Sequence, residues 1–490
     1  MFKTKNKIIK LSSIFIVIII FTCLLFPNHY ATDTYNIIEL GFEEYAKVWF
    51  SPSGRTVGMI LLYVLEIVGI TCNQYIFISK IIAVILATIT IYLFNELLLK
   101  FSKCENNKIK EIAMLIASMS IFLNHGTYQF FYYPEACVMW LGVLMVIFAV
   151  KVSLNYEDKF KFIKSFICIF VAMNCYQSVI LFYIPVRLLF LGLEKKSTKD
   201  FILSILKDCF IVGLNLILGY IIIEIYIKVF NSTPYLEHDF FFDIIQMKYI
   251  GKFLLFKMYD GAPNFVILIV NIFVIIFCAI LPENLFKINK KKSIVTLILL
   301  FMSCFTQVLL LISLTNFYIA DRIQFPYIAL IALEMAFLVS YTNLIDIKKV
   351  RIALISIFSI FLILNIWNSI DISIASIKTR KSDIEIGNKM ADMIEEYESK
   401  NQKVEKVIYC YDSLYTPEKE NIRNVGEQTY RVMAGNWVLD NAIRYFSNKK
   451  DLIVELDQQT YNNVFEEKEW EEFSEEQIKF IDNTMYYCIY

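Results

Sequence analysis

The stretch VGMILLYVLEIVGI, residues 57–70, decides how the whole chain is read. It is apolar, but it is only 14 residues long and carries Glu66. A helix that crosses a bilayer needs about 20 mainly apolar residues. If this segment crosses, every later loop changes side. If it lies flat, none does. Apolar runs of spanning character surround it at about 9–26, 76–99, 112–128, 134–150, 162–176, 177–193, 204–229, 264–281, 294–314, 323–342 and 351–369. Positive charge favours cytoplasmic loops. With 57–70 lying flat on the outer face, the cytoplasmic segments collect 22 Lys and Arg, starting with Lys3, Lys5, Lys7 and Lys10. The outer loops then hold six: Lys47, Arg55, Lys248, Lys252, Lys257 and Arg322. With the segment crossing, the asymmetry reverses after the N-terminus. The expectation is therefore a mainly α, polytopic membrane helix bundle of 11 spans, N-terminus inside and C-terminus outside. Residues 57–70 form a helix in the outer interface. The first run also admits a cleaved signal peptide with Ala31 near the cut, but the many later spans favour an uncleaved anchor.

Composition agrees with this class. The chain has 490 residues, 57% hydrophobic and 19% charged, with a mean hydropathy of +0.55. Soluble domains average roughly 45–50% apolar and about 25% charged residues. A disordered chain, a collagen-like chain and a small disulfide scaffold are excluded. The 47 basic and 47 acidic residues balance, so no overall basic field calls for nucleic acid. Most of the 11 cysteines, such as Cys23, Cys168, Cys209, Cys278 and Cys304, stand singly in apolar runs and read as small hydrophobes. Cys410 and Cys488 lie in polar, strand-like surroundings, and sequence alone does not pair them. Three scattered histidines argue against a His-based zinc site.

The apolar runs stop near residue 370. Residues 371–490 hold 24 acidic and 15 basic residues, a net of −9, so residues 1–370 carry +9. The patterning predicts a small external α/β domain over 371–490. Its expected elements are helices at 372–399 and 430–446, strands at 404–411 and 451–456, an acidic helix at 463–481 and a final strand, MYYCIY. The acidic run EEKEWEEFSEEQ reads as a solvated helix face. Residues 1–370 form the membrane domain, with a first external loop at 27–75.

Ionisable groups gather in the expected outer loops: His29, His125 and His238, with Asp33, Glu39, Glu43, Glu44, Glu135, Asp239, Asp243, Asp260 and Asp321. An acid at a span end reaches water at little cost and needs no function. Asp33, in NHYATDTY, and Glu135, in YQFFYYPEA, are less ordinary. Aromatic neighbours desolvate a carboxylate and raise its pKa, which suits a base. Arg55 in SPSGRT and Arg322 in ADRIQ begin helical segments. An arginine there can clamp a phosphate or simply anchor at the interface. The aromatics likewise suit an interfacial belt or a sugar-stacking cleft.

Asp33 shortly after the first span, Gly54-Arg55 before an interfacial helix, Tyr132-Tyr133-Pro134-Glu135, Tyr176-Gln177 between close spans, and Asp321-Arg322 before a late span together resemble the GT-C superfamily of membrane glycosyltransferases. Within it the chain looks most like the Gtr-type glucosyltransferases that decorate bacterial surface polysaccharides. The resemblance implies an inverting enzyme of the bacterial cytoplasmic membrane, working on its outer face. Its donor is a sugar, such as glucose, on a polyprenyl phosphate. Its acceptor is a cell-surface glycan or polymer. It further implies Asp33 as the base and Arg322 or Arg55 as donor-phosphate ligands. Glu135 would orient the acceptor or share a metal, since some members use Mg²⁺ or Mn²⁺. Tyr35, Tyr133, Tyr176, Gln177 and Asp321 would contact substrate. The family often carries paired acids in the first loop; here Asp33 stands between Thr32 and Thr34, with Glu39, Glu43 and Glu44 following. Rival readings are a transporter of lipid-linked sugars, a polysaccharide polymerase or ligase, and a sensor or scaffold. A transporter predicts internal symmetry and charges within spans, whereas the spans read as nearly free of charge.

Overall fold

The computed structural model describes residues 2–26, 30–103, 107–155, 157–194, 197–230, 264–305, 320–413 and 415–490. The expected outer loop at 231–263, with His238, Asp239, Asp243 and Asp260, lies outside the described residues. So do His29 and residues 306–314 of one expected span.

The fold is mainly helical, with a small sheet at the C-terminal end. A helix lies at every one of the eleven expected spans. The first third of the chain holds α1 (Phe2–Thr22), α2 (Thr32–Tyr45), α3 (Thr56–Val68), α4 (Cys72–Ser102), α5 (Lys108–Phe122), α6 (His125–Tyr132) and α7 (Ala136–Ser153). Then come α8 (Lys161–Cys175), α9 (Tyr183–Leu191), α10 (Thr198–Phe230), α11 (Asn264–Ile280) and α12 (Lys290–Cys304). The short α13 (Phe325–Ile328) leads into α14 (Leu330–Tyr341), and α15 runs from Lys348 to Lys400. Among the described residues, five stretches are long and apolar enough to cross a membrane: Lys7–Leu25, Cys72–Ser102, Ala136–Ser153, Thr198–Phe230 and part of Lys348–Lys400. The decisive segment forms α3. Its 13 residues reach about 20 Å at 1.5 Å per residue, short of the roughly 30 Å hydrocarbon core.

The bundle packs around α7, which lies between α4 and α8. Trp140, Val143, Ile147 and Val150 of α7 are fully buried there. Polar side chains tie the helices where no water would. Asn95 of α4 donates to Ser118 of α5 at 3.2 Å, and Asn271 of α11 donates to Glu334 of α14. The expectation of nearly charge-free spans is corrected: Lys80, Arg187, Asp208 and Glu334 are all buried. They are tolerated because each has a partner. Arg187 Nε lies 3.2 Å from Asp208, Tyr183 donates to Asp208 at 2.7 Å, and Lys80 Nζ donates to the Leu25 carbonyl at 3.3 Å.

The most consequential departure is α15. The last span and the first helix of the polar segment were expected as two helices, and they form one of 53 residues, about 80 Å long. No proline interrupts it, and its one glycine, Gly387, is used for packing. Its distal half carries the sheet. Strands β1 (Lys406–Tyr411), β2 (Ile453–Leu456), β3 (Ile478–Ile481) and β4 (Thr484–Ile489) lie in the order β2-β1-β4-β3. β1 is parallel to both β2 and β4, and β3 and β4 pair antiparallel. One face packs Val407, Tyr409, Met485 and Tyr487 against Ile386, Met390 and Ile394 of α15 and Leu439, Ala442 and Ile443 of α16 (Leu439–Ser447). The other face buries Cys410, Cys488, Phe465 and Trp470. Cys410 and Cys488 stand in register on neighbouring strands as free thiols.

Two expected helices are revised. The helix expected at 430–446 begins only at Leu439. The buried Asp383 carboxylate takes the Val432 and Met433 amides at 3.0 Å each, which holds 431–435 in turns. The acidic helix expected at 463–481 ends at Phe465, where α17 (Gln459–Phe465) stops with Glu466 and Glu467 at φ +56° and +57°. Seven closely spaced glutamates would repel along one helix. Instead Trp470 anchors the run beneath the sheet, and 478–481 pairs as β3.

A Cβ at Gly387 would overlap the Phe446 ring, so α15 and α16 meet there without a side chain between them. Gly387→Val should therefore destabilise the protein by about 1–3 kcal/mol. Gly213→Ala, a helical site with nothing within 4 Å, should be neutral or slightly stabilising. Thermal unfolding of the two purified variants in detergent checks the contrast.

Candidate functional site

Four chain breaks converge at the end of the bundle that meets the sheet. The first is the turn 51–54. Gly54 has φ +63°, its amide bonds the Ser51 carbonyl at 3.0 Å, and Arg55 N bonds the Phe50 carbonyl at 2.9 Å. Gln177 donates to the Ser53 carbonyl, which fixes Arg55 at the mouth of α3. The second is α6. Asn124 and Thr127 cap its start reciprocally, and the residue before Pro134 must leave the helical region. Gln129, Tyr132 and Tyr133 therefore share one face at i, i+3 and i+4. The third is Tyr176, extended (φ −162°) between α8 and the 3₁₀ turn Gln177–Phe182. The fourth is the turn at 320–324, closed by Ile323 N to the Ala320 carbonyl at 2.9 Å and Gln324 N to the Asp321 carbonyl at 3.0 Å. It presents Arg322.

The guanidinium of Arg322 is the hub. Nε donates to the Tyr176 hydroxyl at 2.9 Å. Nη1 donates to Gln129 Oε1 at 3.2 Å and to the Tyr133 hydroxyl at 3.0 Å. The group also stacks on the Tyr133 ring, 4.5 Å from its centroid. Its ion pair is with Glu427, which comes from the turn Gly426–Gln428 of the C-terminal segment and also accepts from the Tyr133 hydroxyl. Burial works against the charge on Arg322, but Tyr133, Tyr176, Asp33 and Glu135 outweigh it and raise its pKa. Arg55 forms a second pair beside the first. It donates to Glu135 Oε1 at 2.8 Å and lies 5.0 Å from the Tyr176 ring centroid. Tyr176 thus touches both arginines.

Asp33 sits in the first turn of α2, where the helix dipole favours an anion. It remains half-buried, so a substrate can reach it. Burial, then the nearby Glu135 carboxylate, push its carboxyl up to about 6, against the pull of Arg322 and Arg55 and a hydrogen bond from Thr32. Burial and Asp33 likewise push Glu427 up to about 8. The other acids of the first loop are engaged elsewhere. Glu43 and Glu44 face Lys47 at 2.7 and 3.9 Å, and Glu39 feels Lys450 and Arg444.

The structure thus brings together Asp33, Arg55, Glu135, Arg322, Tyr133 and Tyr176 from the residues singled out in the sequence. Gln177 supports the Arg55 turn. Asp321 is buried in the turn that presents Arg322. Tyr35 is placed differently: it is buried against Tyr445 and Phe446, with ring centroids 5.2 and 5.6 Å away, and serves to dock α2 on α16. Gln129 and Glu427 were missed. Gln129 belongs to the same helical face as Tyr133, so its i, i+4 spacing was a usable signal. Glu427 gives no comparable signal, because nothing local distinguishes NVGEQTY from a surface turn.

The cluster does not fit a divalent ion. Glu135 is committed to Arg55 and Glu427 to Arg322, and among the described residues no three of His, Cys, Asp and Glu gather as ligands. Three carboxylates, two guanidiniums and stacked phenols instead suit an anionic substrate and a proton acceptor. No curated protein matches the chain closely enough to count as a relative. The sequence model of the family described as Glucosyl transferase GtrII matches residues 22–341, which take in Asp33, Arg55, Glu135, Tyr176 and Arg322. The chain therefore belongs to the GtrII glucosyl transferase family, and its apolar helices make it a membrane-associated member.

Proposed function

We propose that the protein is an inverting GT-C glycosyltransferase that moves a glucosyl group from a polyprenyl phosphate to a cell-surface glycan or polymer. It works at the outer face of the bacterial cytoplasmic membrane. The observation that carries this reading is a reachable, partly desolvated carboxylate, Asp33, beside two partly buried arginines at one end of an apolar bundle. That arrangement pairs a proton acceptor with an anion clamp. The proposed topology has 11 spans, N-terminus inside, with residues 371–490 as an external domain. The shortness of α3 and the asymmetry of basic residues support it.

In the reaction, the acceptor hydroxyl gives its proton to Asp33 as its oxygen attacks the anomeric carbon. The bond from that carbon to the phosphate oxygen breaks, and the lipid phosphate leaves from the opposite face. Arg322 meets the charge that grows on the leaving phosphate, already positioned by Gln129 and Tyr176. The Arg55–Glu135 pair sets the field around Asp33, with Glu135 keeping its carboxyl high. Tyr133 and Tyr176 are buried against the two guanidiniums and hold them in place. The same residues do not explain a transporter, which requires no positioned base.

Asp33→Asn should lower kcat about 10²–10⁴-fold while leaving insertion and folding intact. Transfer assays with a purified polyprenyl-phosphate glucose donor check this, and full activity in the variant would remove Asp33 as the base. Because the base form is the deprotonated one, wild-type kcat/KM should climb as pH rises through about 6. Topology has its own test. Glu471→Cys, exposed in the acidic run, should react with a membrane-impermeant maleimide on intact cells, above the level of the wild-type cysteines. Labelling only after lysis would overturn the external placement.

A further inference from the structure

The Glu427 carboxylate sits on the two donors that an incoming anion would need, the Arg322 guanidinium and the Tyr133 hydroxyl. We propose that Glu427 holds the seat of the donor's phosphate, and that the turn Gly426–Gln428 withdraws when a lipid-linked phosphate arrives; this rests on the reading of Arg322 as the phosphate clamp. Glu427 is thus a specificity residue contributed by the C-terminal segment, and it selects for a ligand that can outcompete a carboxylate.

Three observations support the exchange. First, the seat survives without Glu427. Arg322 is held by Gln129 through both its backbone amide and Nη1, at 3.2 Å each, and by Tyr176 at 2.9 Å. The guanidinium would remain aimed after the carboxylate leaves. A phosphate can accept from guanidinium N–H and phenol O–H groups with the same geometry and more oxygens.

Second, the turn is held through its backbone, where the Gln428 carbonyl accepts from the Tyr132 hydroxyl at 3.3 Å, and poorly satisfied at its side chain. Thr379 and Arg380 of α15 bond the Thr429 and Tyr430 carbonyls at 3.3 and 2.6 Å. Beside that anchor, the Gln428 side chain is fully buried, yet neither its Oε1 nor its Nε2 has a hydrogen-bond partner among the described residues. A buried amide without partners is costly, so the docked turn carries a penalty that opening relieves.

Third, the charges do not balance once a donor binds. With all three ionised, Asp33, Glu135 and Glu427 exceed Arg55 and Arg322 by one, and a phosphodiester adds another negative charge. Glu427 is the group best placed to yield, since its carboxyl is pushed up to about 8 by burial and by Asp33. It can take up a proton and let go of Arg322, whereas a phosphodiester stays ionised.

Binding of a short-chain polyprenyl phosphate to the full-length protein in detergent tests the exchange. At a pH above 8, where Glu427 is ionised, Glu427→Gln removes the competing charge, so the probe should bind about tenfold more tightly than to wild type. Arg322→Gln should lose most of the binding. Should Glu427→Gln not fold, Glu427→Asp draws the charge back by one methylene and carries the same expectation of tighter binding. Equal or weaker binding by the Glu427 variant, with Arg322→Gln impaired, overturns the inference and leaves the clamp standing. Undiminished binding by Arg322→Gln overturns the clamp itself.

Discussion

A guanidinium taken out of water has to find its acceptors inside the protein, at a desolvation cost of several kcal/mol per ion. Arg322 is in that position, and its needs account for much of what surrounds it. Its acceptors come from α6, from the break between α8 and the following 3₁₀ turn, and from the C-terminal segment. These pieces are 193, 146 and 105 residues from it in sequence. Each must end where it does for the group to be met. Pro134 stops α6 so that Tyr133 can lie beneath the guanidinium, and the extended Tyr176 turns its hydroxyl toward Nε. The same arrangement leaves a positive charge beside a reachable carboxylate, the pairing on which the proposed transfer rests.

The second organising element is α15. A helix about 80 Å long joins the bundle to the sheet without a flexible link. Near the bundle, Ser369 bonds the Phe21 carbonyl at 3.2 Å and Ser373 bonds Tyr128. Farther along, Asp383 pairs with Arg380 and caps the turns at 432–433. The segment that carries Glu427 is therefore placed by the same helix that packs against the bundle core. Residues of α2 complete the join: Tyr35 enters the aromatic cluster of α16, and Asn36 accepts from the Asn441 amide and donates to the Trp437 carbonyl. Asp33 sits one turn away, so its position is tied to the docking of the C-terminal segment.

The neutral total of 47 and 47 conceals two unlike parts, one near +9 and one near −9. The positive part is the apolar bundle. The negative part is the C-terminal segment with the sheet, whose acidic run lies between α17 and β3, in the turn after Phe465, an irregular stretch and the 3₁₀ turn Glu475–Gln477. Like-charge repulsion explains why that run does not form the single helix its length invited.

Residue pattern located the apolar helices, the central strands VIYCY and MYYCIY, and four of the eight residues that meet at the site, Asp33, Arg55, Glu135 and Arg322; the family resemblance added Tyr133 and Tyr176. These were legible because hydrophobic periodicity and isolated charges in apolar surroundings are local signals. The continuity of α15, the early end of the acidic helix and the late start of α16 were decided by tertiary structure. Each depends on a partner distant in sequence: Tyr128 and Phe446 against α15, the sheet beneath Trp470, and the Asp383 carboxylate. Glu427 belongs with them. No local feature separates it from a surface glutamate, and what distinguishes it is that folding sets it against the largely buried charge of Arg322.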